Sequence, residues 1–115
     1  MADDNGGEFL CGLDAAVSVV GGKWKPLILW ALSVGPRRTS ELRRELAPIS
    51  EKMLIQQLRE LQRDDIVRRE AFPEVPPRVL YHLTPAGRAL ERALAPLGDW
   101  GEENLARLTE ARRSR

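Results

Sequence analysis

Ser50-Glu51-Lys52-Met53-Leu54-Ile55-Gln56-Gln57-Leu58-Arg59-Glu60-Leu61-Gln62-Arg63-Asp64 decides how the chain is read. At about 100° per residue, Leu54, Leu58 and Leu61 fall on one stripe of a helix. Lys52, Gln56, Arg59 and Arg63 fall on another, nearly opposite. The leucines seat the helix on a core. The other stripe presents cationic forks and an amide, the groups that contact phosphate oxygens and base edges. Gln57 lies off the centre of that stripe and reaches either. Ser50 has the short hydroxyl of an N-cap, and Glu51 in the first turn suits the helix dipole. Ile49 and Leu54 occupy the two positions of a hydrophobic staple.

Upstream, Leu13, Ala16, Val17 and Val20 give a first helix over Leu10 to Val20, which Gly21-Gly22 stops. A second helix starts near Lys23 to Pro26, where a first-turn proline is tolerated. Leu27, Ile28, Trp30, Ala31 and Leu32 surround most of it, so it belongs at the buried centre. Gly35-Pro36 ends it. A short third helix follows, roughly Ser40 to Leu46, with Leu42 and Leu46 inward and Arg37, Arg38, Arg43 and Arg44 crowded around it. Ala47-Pro48-Ile49 is the turn into the quoted stretch.

Downstream, Ile66 to Phe72 and Val79 to Leu83 read as paired strands. The connection Pro73-Glu74-Val75-Pro76-Pro77-Arg78 is stiff and too long for a two-residue turn. Thr84-Pro85 is a cap followed by an N1 proline. The last helix runs from about Ala86 towards Thr109, with a kink or interruption expected at Pro96 to Gly98.

The chain of 115 residues is 43% hydrophobic and 30% charged, which suits a single globular domain. An arm over residues 1–8, a domain over 9–110 and a tail over 111–115 are expected. No apolar run is long enough for a bilayer, and the acidic first residues lack the basic n-region of a secretory signal. The single cysteine rules out an internal disulfide and a cysteine metal cluster. A reducing cytoplasm is the expected compartment. Net charge is +1, but Lys23 to Arg88 holds 13 basic and 8 acidic residues while the flanks hold 5 and 9. A basic middle between acidic ends fits a nucleic-acid surface, and equally ordinary solvated helix faces.

Helix, tight turn, helix, then a basic hairpin is the layout of a winged helix-turn-helix. The fold class expected is mainly α with a small antiparallel β-hairpin, and the leading partner is double-stranded DNA. Lys52, Gln56 and Arg59 are placed nearest the base edges, with Arg63 near phosphate. Gln favours adenine and Arg favours guanine through bidentate pairs. Ser50 stands at the entry of that helix. Arg37, Arg38, Arg43 and Arg44 are placed against the backbone. Arg78, read as the tip of the loop, is either a minor-groove contact or a plain exposed charge. The competing reading is a winged-helix module that binds protein and not DNA.

Cys11 is either a small buried hydrophobe or a redox or electrophile switch. A helix start raises its thiolate fraction, and Glu8 and Asp14 oppose this. Trp24, Trp30 and Trp100 either line an effector pocket or anchor the core and a dimer interface; the second use is commoner. His82 reads as structural. No catalytic constellation, phosphate-cradling glycine motif or cofactor site is visible, so no enzyme is expected.

Several segments resemble the HxlR family of bacterial transcriptional regulators. They are Gly21-Gly22-Lys23-Trp24-Lys25, Leu27-Ile28-Leu29, Gly35-Pro36-Arg37-Arg38 and Glu41-Leu42-Arg43-Arg44. Further on come Ile49-Ser50-Glu51-Lys52-Met53-Leu54, Gln57-Leu58-Arg59-Glu60-Leu61, Pro76-Pro77-Arg78-Val79 with Tyr81, and Leu83-Thr84 with Gly87. The resemblance runs from Cys11 to Trp100. It implies a homodimer paired through its first and last helices, here 10–20 and 86–109, reading a pseudo-palindrome. Repression by promoter occlusion is the preferred reading, with redox chemistry at Cys11 or a small ligand at the dimer interface as the signal; in some members of the family a cysteine senses oxidants or electrophiles. Members carry a cysteine near the N-terminus, which Cys11 matches, although Gly12 replaces the usual proline. Thr39 stands where an aromatic residue is usual.

Overall fold

The computed structural model describes residues 7–114. In order come α1 (Gly12–Val20), α2 (Trp24–Leu32), α3 (Thr39–Glu45), α4 (Glu51–Arg63), β1 (Val67–Phe72), β2 (Arg78–Leu83), α5 (Pro85–Glu103) and α6 (Leu105–Arg113). Most of the expected arm (1–6) and the last residue of the expected tail lie outside the described residues.

The leucine stripe of α4 does what its spacing requires. Leu54, Leu58 and Leu61 are buried against Ile28, Leu29 and Leu32 of α2 and Leu42 of α3. Each fully buried leucine contributes about 2 kcal/mol of transfer free energy, so this seam holds the three helices together. Ile49 is buried beside Leu54 as a staple requires, and Ser50 Oγ accepts from Met53 N at 3.0 Å.

β1 and β2 pair antiparallel, from Val67 opposite Leu83 to Phe72 opposite Arg78. Arg37 adds a bridge on the other edge of β2, exchanging two backbone hydrogen bonds with Tyr81. Val67, Tyr81 and Leu83 turn inward and close the core.

A threonine ties the hairpin to the next helix. Thr84 Oγ1 donates to Asp65 O at 2.6 Å and accepts from Gly87 N at 2.9 Å. Gly87 is required by a close approach: a Cβ there would lie 2.1 Å from Ile66 O. The α5 start therefore presses directly on the turn that leaves α4.

One expectation for the terminal helices changes. The break in the last helix is not at Pro96, which α5 runs through, but at Asn104. A mid-helix proline costs one backbone bond, and its surroundings here are exposed. At Asn104 the side-chain amide donates to Trp100 O at 2.9 Å, and the backbone leaves helical geometry. The apolar stripe of α1 does not face this chain's own core: Leu13 is 73% exposed, Val17 53%, and α1 contributes no buried residue. Among the described residues no helix is long and apolar enough to cross a membrane.

Candidate nucleic-acid interface

Burying Leu54, Leu58 and Leu61 turns Lys52, Gln56, Arg59 and Arg63 to solvent. A shallow trough runs along this outer face, lined by Glu51, Lys52, Ile55, Gln56, Arg59 and Glu60. Lys52 and Arg59 have no ion-pair or hydrogen-bond partner among the described residues. Arg63 leans on Asp64 at 3.4 Å. Gln57 is half-buried and donates weakly to Met53 Sδ at 3.5 Å, so it belongs to the flank of the face.

A lysine the sequence reading passed over ties this helix to α2. Lys25 of α2 is only 6% exposed, and its ammonium meets Glu60 Oε1 of α4. The hydrogen bond from Lys25 holds the Glu60 carboxyl below the ordinary carboxylate range, although partial burial pushes the other way. Gln56 also donates to Glu60, so the amide on the outer face is tethered by the same carboxylate. A lysine inside an apolar helix is a signal, but only the tertiary fold pairs it with a glutamate two helices further on.

The four arginines around α3 do not form one group. Arg43 lies 3.7 Å from Glu51, which sets it beside the N-terminal end of α4. Arg44 is exposed with no partner among the described residues, and Arg38 is exposed at the N-cap of α3. Arg37 differs. Its guanidinium pairs with Glu45 at 2.9 Å and donates to Pro36 O at 3.0 Å, while its backbone extends the sheet. Its groups are spent within the fold.

Arg78 is also placed differently from the expectation. It is the first residue of β2, not the loop tip. The tip carries Val75, which is fully exposed. Arg78 pairs with Glu74 at 2.9 Å and stacks over the Phe72 ring at 4.2 Å. Register explains the stacking, since Phe72 stands directly opposite it. Exposed cations on the hairpin come instead from Arg68 and Arg69 of β1, which the sequence reading left without a role.

The model of the family described as HxlR-like helix-turn-helix matches residues 19–109. The chain belongs to this family. It is a helix-turn-helix transcriptional regulator whose fold is a winged helix-turn-helix. It is 47% identical over 94 residues to the HTH-type transcriptional regulator YkvN of Bacillus subtilis, covering 82% of this chain and 80% of that one. A Methanothermobacter thermautotrophicus regulator described as HTH-type is 44% identical over 102 residues, covering 89% and 76%. Among solved structures, the redox regulator HypR in its reduced form superposes with a TM-score of 0.81 at 40% identity, covering 87% of this chain and 99% of that one.

In this HxlR-like chain Cys11 is exposed at the N-cap of α1, so the buried-hydrophobe reading does not hold. The three tryptophans are not brought together as one pocket. Trp24 packs on the core under the Lys23 ammonium, and Trp100 is half-exposed on α5. Trp30 alone of the three lines a groove between α2 and α5.

Proposed function

We propose that this HxlR-like regulator acts as a homodimer on a pseudo-palindromic operator and represses by occluding the promoter. α4 enters the major groove, with Lys52, Gln56 and Arg59 at base edges and Arg63 at phosphate. Arg38, Arg43 and Arg44 lie along the backbone, and the hairpin approaches the neighbouring minor groove. The observation that carries this reading is the outer face of α4: cationic, solvent-exposed and without a seat on its own subunit.

Exposed apolar surface supports the dimer. Leu13 and Val17 of α1, Trp100 of α5 and Leu105 of α6 are each more than half exposed. Apolar surface left exposed on both terminal helices is of the kind that a partner covers. A change at Cys11, or a bound effector, would alter the spacing of the two α4 helices and hence the fit to both half-sites. Support for the cysteine is its exposure and the likeness to a protein described as a redox regulator.

A salt titration of affinity for operator DNA tests the reading. Several phosphate contacts give a log-log slope of about −0.9 per contact neutralised. A flat response, with Lys52→Ala and Arg59→Ala indistinguishable from the parent, would leave the outer face of α4 to a protein partner.

A further inference from the structure

The open groove between α2 and α5 has a volume of about 570 Å3, within the roughly 300–1,000 Å3 of small-molecule sites. Its walls are apolar: Leu27 and Trp30 from α2, Leu94 and Leu97 from α5. Its charged lining is of one sign. Glu91, Asp99 and Glu102 line it, and no Lys or Arg among the described residues does. None of the three carboxylates has a hydrogen bond or ion pair among the described residues. They recur at helical spacing on α5, so one stripe carries them all. Trp30 is 62% exposed, an indole left facing solvent beside this acid-lined groove.

We propose that this groove binds a hydrophobic organic cation, an aromatic or alkyl-rich ammonium or phosphonium. The apolar walls take the body of such a molecule. The unpaired carboxylates attract its charge, and the Trp30 face adds a cation–π contact. An apolar anion gains the same wall contacts and loses to three like charges. The groove is built from the helix-turn-helix core on one side and from α5 on the other, so an occupant touches both halves of the molecule. The proposal gives a chemical class to the effector in the reading above. The binding itself is measured without DNA, so the two readings fail separately.

The test is calorimetric titration of the full chain with tetraphenylphosphonium, against neutral triphenylphosphine oxide of nearly the same shape. The expected result is one saturable site per chain with at least a tenfold preference for the cation. In Asp99→Asn/Glu102→Gln that preference disappears while binding of the neutral compound persists. Trp30→Ala weakens both. Matching circular dichroism melts show that these variants fold. Equal binding of the two compounds by the parent, or an unchanged preference in the double variant, overturns the proposal. So does the absence of saturable binding.

Discussion

Lys25 Nζ on α2 lies 2.5 Å from Glu60 Oε1 on α4, one residue beyond the outward-facing Arg59. The leucine seam supplies most of the adhesion between these helices. An ion pair with one partner a third exposed adds little net free energy, because desolvation offsets attraction. What it sets is rotation. A helix free to roll on a leucine seam would carry Lys52, Gln56 and Arg59 off the direction they share.

Removing either partner should therefore have unequal effects. Glu60→Gln leaves a buried ammonium without its counter-charge and should cost about 2 kcal/mol. Lys25→Met leaves a partly solvated carboxylate and should cost less, about 1 kcal/mol. Urea melts of the single and double variants would measure the coupling. Equal losses would mean that burial of Lys25 carries no penalty. The pH dependence follows in sign. The folded carboxyl titrates below its unfolded value, so its stabilisation is complete above about pH 4.3 and is lost as pH falls through the folded value. The gap between the parent and Glu60→Gln should close in that acid range.

Among the described glycines, Gly87→Ala should be the most damaging. The added carbon meets the Ile66 carbonyl, a backbone atom that cannot swing aside. Overpacking of this kind costs about 3 kcal/mol. Thr84→Ala, which removes a buried cap and tie, should cost about 2 kcal/mol. Thermal melts check both. A Gly87→Ala protein as stable as the parent would show that α5 can move away from the α4–β1 turn.

On DNA, arginines near one another in sequence should behave differently. Arg59→Ala should weaken operator binding about tenfold and relax the preference at one base pair. Arg44→Ala should weaken specific and non-specific DNA alike and reduce the salt slope by about one contact. Arg37→Ala should lower stability by about 1 kcal/mol and leave the salt slope unchanged, because its guanidinium is paired within the fold. Fluorescence anisotropy at several salt concentrations separates these three outcomes.

Association should fail when the terminal helices are made polar. Val17→Glu or Leu105→Glu places a charge on surface that the single chain leaves exposed. Each should shift sedimentation towards monomer while preserving helicity. Unchanged sedimentation of both would move the interface elsewhere.

Cys11→Ser should bind operator as the parent does and lose its response to diamide. With one cysteine per chain, oxidation yields an intersubunit or a mixed disulfide. Non-reducing electrophoresis tells them apart. An identical diamide response in parent and variant would remove the sensor reading.

Patterns local to one element were legible from the chain alone. A 3.6-residue period placed Leu54, Leu58 and Leu61 inward and Arg59 outward. Ser50 and Thr84 marked helix starts through a hydroxyl that satisfies a backbone N–H. The order helix, helix, hairpin then left little freedom in the fold. What the chain alone left open depends on contacts between distant segments. Pairing of Lys25 with Glu60, the spending of Arg37 on Glu45 and Tyr81, and the stacking of Arg78 on Phe72 each need two elements in register. Composition marks these residues only as charged. Which charges face solvent, which are consumed inside and which carboxylates stay unpaired along α5 was decided by tertiary packing, because an ion pair depends on distance and burial that no single helix period contains.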